Sequence, residues 1–149
     1  MVGYTACENA VKTRILAHFS AELTKDEYCQ CGDSDTLFTA LFRDSASYGC
    51  LIDIGNPAGR DITDAPFKGQ IISWQIIGVF ILRYGGENIT IEVSARAIID
   101  KIASLFSNDH TAGGVASRFR VVLIDPPERV DVNDLPFYFI GFNIEVWDK

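Results

Sequence analysis

A chain of 149 residues, 48% hydrophobic and 11% aromatic, is long enough for one domain with its own core and excludes a dependence on disulfide or metal staples. Its net charge of −7, with 13 scattered Lys and Arg, argues against a nucleic-acid grip, which needs clustered cations to displace phosphate counterions. The apolar runs, such as Ile76 to Leu82, fall far short of the ~20 residues of a membrane span, and no leader opens the sequence, so a soluble intracellular product is expected.

The first predicted element is a helix from Thr5 to Leu23. Thr5 and Glu8 stand at capping-box spacing, and Cys7, Val11, Ile15, Phe19 and Leu23 recur every four residues as one apolar stripe. Thr24 to Asp35 reads as a polar connection, in which Asp33-Ser34-Asp35 suits a turn or N-cap better than a cation site. Cys7, Cys29, Cys31 and Cys50 read as reduced thiols without a secretory route. Only Cys29 and Cys31 are close, and no second Cys or His pair completes a ligand set, so two thiols in a loop are expected and no metal. Thr36 to Arg43 fits either a short helix or a strand, with Leu37, Phe38, Leu41 and Phe42 suiting a helix slightly better.

Gly49 to Ile54 is a predicted strand that Gly55-Asn56-Pro57 ends. The segment Asn56 to Gly69 exceeds the roughly 2–5 residues of a hairpin turn and is expected to be a functional loop, with Arg60, Asp61, Asp64 and Phe67 as contact candidates. Gln70 to Arg83 is the longest predicted strand. Its two faces, Ile72, Trp74, Ile76, Phe80 and Leu82 against Ile71, Ile77, Val79 and Ile81 beside Ser73 and Gln75, are both mostly apolar, so both require cover. After a turn at Tyr84 to Asn88, a second helix runs from Thr90 or Ile91 to Phe106, and a flexible link from Ser107 to Ser117 follows. Arg118 to Asp125 alternates Phe119, Val121 and Leu123 against Arg118, Arg120 and Val122, and an acidic turn follows through Asp134.

The closing strand, Leu135 to Trp147, carries Tyr138, Ile140, Phe142, Ile144 and Val146 on one face, a clean core pattern. The other face carries Phe137, Phe139, Gly141, Asn143, Glu145 and Trp147. Three large aromatics on a solvent face are unusual, so a helix or another subunit is expected to cover them.

No phosphate-binding glycine loop, nucleophile elbow or metalloprotease helix is present. His18 and His110 lack a triad-like partner, and Asp53, between Ile52 and Ile54, is a single strand carboxylate expected to face solvent. No catalytic residue and no cofactor are therefore assigned. The order α-(α)-β-β-α-β-β predicts one α+β domain over 1–149, a mostly antiparallel sheet of two hairpins with two main helices packed on it.

This order, with the closing run FYFIGFNIEVW, resembles the tail-terminator (tail-completion) family of long-tailed bacteriophages. That family combines an N-terminal helix, a hairpin with an extended loop, a second helix and a closing hairpin. Residues 29–43 have no clear counterpart in the pattern. The resemblance implies a structural virion protein without catalytic residues, made in the host cytoplasm. It would form a six-membered ring on the head-proximal end of the tail tube, end tube polymerisation and meet the head-tail connector. DNA would pass through the lumen without specific binding, helped by an acidic ring. On that reading Arg60, Asp61, Asp64 and Phe67 would reach the tube protein, while Phe137, Phe139 and Trp147 would supply subunit contacts. Two other readings remain open: another neck protein, such as a head-closure or connector adaptor, and a small-molecule-binding α+β domain with the aromatics around a pocket. A monomer whose own helices cover both faces of the sheet accounts for the same pattern.

Overall fold

The computed structural model describes residues 4–53, 61–65, 69–83, 88–116 and 118–147, of which 4, 53, 61–65, 69–74 and 88–93 are described by backbone alone. Helix α1 (Tyr4–His18) buries Cys7, Val11 and Ile15 along its stripe. The helix stops earlier than its pattern, but Phe19 N–H donates to Ile15 O and Leu23 N–H to Phe19 O, so both residues still reach the core. Thr5 lies inside the helix instead of capping it, and Glu8 becomes a buried carboxylate.

The expected polar connection contains a short 3-10 turn and a strand, β1 (Cys29–Cys31). Asp33 caps α2 (Ser34–Asp44), its Oδ1 accepting from Thr36 N–H at 3.0 Å, and the left-handed Ser45 ends it. The ambiguous segment is therefore a helix. The remaining elements are β2 (Tyr48–Asp53), β3 (Asp61–Ala65), β4 (Gly69–Arg83), α3 (Asn88–Ala103), β5 (Arg118–Ile124), β6 (Glu128–Val132) and β7 (Leu135–Trp147).

Among the described residues the seven strands form one sheet, in the order β1-β2-β4-β7-β5. β3 pairs with the start of β4 and β6 with the start of β7. Only β1–β2 is parallel, so the α+β class with a mostly antiparallel sheet holds. The two-hairpin scheme does not. β4 is too long for β2, which pairs with residues 77–82, and β3 takes residues 69–73. The expected acidic turn is also largely strand: β6 and β7 join through Asn133 and Asp134, both at positive φ, as a two-residue hairpin turn requires. β5 then pairs with the second half of β7.

Two layers cover the sheet unequally. On one face α1 and α3 seal the main core, with Phe19 against Phe80 and Phe106 stacked on Phe119. Arg14 Nε–H donates to Leu105 O at 2.8 Å and ties α1 to the turn after α3. α2 lies on the opposite face at one end, where Leu37 and Leu41 fill the space a side chain would take at Gly49. The expected flexible link after α3 is an ordered turn: Asp109 accepts from Thr111 N–H at 3.2 Å and Gly113 N–H at 2.7 Å.

Candidate functional site

Three of the cysteines and His18 are engaged in the packing of α1, β1, β2 and α3. Cys29 and Cys50 are register partners on β1 and β2, buried and in thiol–thiol contact, and that contact with burial raises the Cys50 pKa well above normal. The Cys31 thiol is pushed up to about 11, first by burial and then by the neighbouring Glu8 carboxylate. Protonated thiols of this kind are poor nucleophiles and poor ligands. No group of three His, Cys, Asp or Glu among the described residues is placed to hold a metal ion. His18 Nε2 lies 2.9 Å from Lys101 O and fastens α1 to α3, whereas His110 stands exposed in the turn before β5. The Asp53 side chain lies outside the described residues.

The aromatic face of β7 divides in two. Phe137 is 1% exposed beneath α2, edge-on to both Phe38 and Phe42, and Phe139 stacks with Phe38. Phe137 is thus a core residue and not a contact presented to a partner: the chain's own second helix covers it. Trp147 is half-buried at the far end, its Nε1–H donating to the Glu145 carboxylate, which also takes Arg120 at 3.4 Å.

Beyond the reach of α2 no helix or strand among the described residues covers this face. Ile77 is 43% and Leu123 51% exposed, with Val79, Leu51, Asn143 and Gly141 around them and Arg118 and Arg120 along the β5 border. Leu123 arrives there through a bulge. Val121 pairs with Ile144 but Leu123 with Asn143, so the alternation that would have put Leu123 on the core face is broken at Val122. The patch is apolar in the middle, Arg118 and the Arg120–Glu145 ion pair border it along β5, and the Asp125 carboxylate lies beside Gly141.

Two of the other predicted contacts lie on the β3–β4 pair. Asp61 and Asp64 belong to β3, opposite Ser73 and Gln70; Arg60 and Phe67 fall outside the described residues. β7 ends its pairing at Trp147 opposite Ser73, so residues 69–72 of β4 have only β3 as a partner among the described residues. Among the described residues that stretch of β4 is therefore paired on one side only. An open groove of about 610 Å³ separates α1 from the 109–115 turn, and a smaller one of about 220 Å³ lies beside β5. Neither is lined by Phe137, Phe139 or Trp147.

Sequence reasoning found the apolar second face of β4 but missed Leu123, whose exposure depends on a bulge that leaves no mark in residue type. No protein-family model matches the chain, and no curated protein matches its sequence.

Proposed function

We propose that this chain is a structural ring subunit of a long-tailed phage, capping the head-proximal end of the tail tube and meeting the head connector there. The observation that supports the proposal is the pair of dissimilar surfaces: an apolar half-face on which Ile77 and Leu123 are exposed, and the β3–β4 pair, whose residues 69–72 are joined on one side only among the described residues. A subunit that closes a ring head-to-tail needs two different patches, each complementary to the other. Buried Cys29 and Cys50 and a His18 held against Lys101 O suit a scaffold better than a reaction. A net charge of −7 per copy suits a channel through which DNA slides, because an acidic wall repels phosphate.

Electron microscopy of particles assembled with and without this chain tests the reading. Without it, tubes of unregulated length and heads lacking tails are expected; with it, tubes of uniform length joined to heads, carrying the chain at the junction. Uniform tubes in its absence would overturn the terminator role. Normal tubes that fail to join heads would instead identify a connector adaptor.

A further inference from the structure

We propose that Cys29 and Cys50 are an oxidation site, at which a peroxide closes a disulfide between β1 and β2 and so staples α2 to the sheet. All four cysteines are free thiols in the structure. Cys29 and Cys50 are register partners on neighbouring strands, so their side chains leave the same face of the sheet. Adjacent strands lie about 4.8 Å apart, inside the roughly 4.4–6.8 Å that a disulfide spans between Cα atoms. The two thiols are already in hydrogen-bond contact. The other pairings fit less well. Cys29 and Cys31 stand two residues apart on one strand, about 6.6 Å at the usual rise and near the outer limit of that range. Across the ladder Cys31 faces Ile52, and Cys7 belongs to α1 in another layer.

Both thiols are fully buried, so an oxidant reaches them when the sheet edge opens locally. β1 suits such opening, because it has three residues and pairs with β2 alone among the described residues. One sulfur attacks the peroxide O–O bond, which leaves a sulfenic acid and releases one water with the thiol proton. The second sulfur attacks the sulfenic sulfur. The S–S bond forms, the S–O bond breaks, and the oxygen departs as a second water with the second thiol proton. Two thiols are thereby oxidised by two electrons and one peroxide is reduced. Protonated, buried thiols make the reaction slow, and the same burial shields the finished bond from reductants. The closed loop spans residues 29–50 and contains all of α2, whose Phe38 and Phe42 cover Phe137. A crosslink there restricts the unfolded chain and stabilises the fold while leaving the helix in place.

Exposure of the folded chain to hydrogen peroxide, followed by denaturation, thiol counting and peptide mass mapping, tests the site. The wild type is expected to lose two of its four thiols to a bond within one chain. Its Tm should rise by about 5 °C or more, a gain that dithiothreitol reverses after unfolding. Cys31→Ser is expected to keep both the bond and the rise, which separates Cys29 from its neighbour on the same peptide. Cys50→Ala is expected to lose both; should that variant fail to fold, the wild-type map and Cys31→Ser still decide. A bond between Cys29 and Cys31 or between two chains, its loss in Cys31→Ser, or oxidation that leaves four thiols or stops at sulfinic acid would overturn the site. A Cys29–Cys50 bond that lowered the Tm would overturn the staple.

Discussion

Glu8 is 4% exposed on the sheet side of α1, with Oε2 unpartnered among the described residues and Cys31 and Lys12 nearby. Burial disfavours its charged form, so its pKa in the folded chain lies above the ordinary 4.5. Well below pH 4.5 the carboxyl is protonated in both the folded and unfolded chain and has no effect on stability. As pH rises the unfolded chain ionises first and the fold loses stability, until the folded pKa is passed and the loss becomes constant. Glu8→Gln is therefore expected to exceed the wild type in stability at neutral pH and to match it in acid, as urea denaturation across a pH series would record. An advantage that grew toward acid would contradict this. The spacing of Cys7, Val11 and Ile15 told that this side of α1 is buried, but the spacing of Thr5 and Glu8 read as a capping box. Which role a carboxylate takes depended on where the helix began.

α2 is the element that decides what the closing strand is for. Its Phe38 and Phe42 cover Phe137, so the aromatic surplus at that end of β7 is internal packing. Phe137→Ala is expected to cost about 3–5 kcal/mol of stability, read from denaturant midpoints, because it opens a cavity between helix and sheet. A variant at a subunit contact would instead leave the monomer's stability unchanged. The strand itself was legible from its period-two alternation, as was the core stripe of α1. β1 and β3 were not legible: one has three residues in a polar stretch, the other sits among turn-forming residues, and each exists because a neighbouring strand offers an unpaired edge. The bulge at Val122 belongs to the same class, since one unpaired residue changes which side chains face out without altering composition.

At the scale of the whole molecule, one sheet carries two unequal coats, α1 with α3 over one face and α2 over part of the other. Leu123 stands on the uncoated part, so Leu123→Asp is expected to change unfolding free energy by no more than about 0.5 kcal/mol, measured by denaturation at a concentration where the chain is monomeric. A larger loss would mean that the residue packs within its own chain. The α+β class, the two long helices, the core-facing sides of α1 and β7, and the largely apolar character of both faces of β4 were legible in the residues alone. These follow from local periodicity, which records whether a position faces a core. That α2 covers Phe137, that β3 pairs with the start of β4, and that Ile77 and Leu123 are exposed became visible only in the folded chain. Each depends on which distant segment pairs with or lies over a strand, and residues far apart in sequence leave no periodic trace of their meeting.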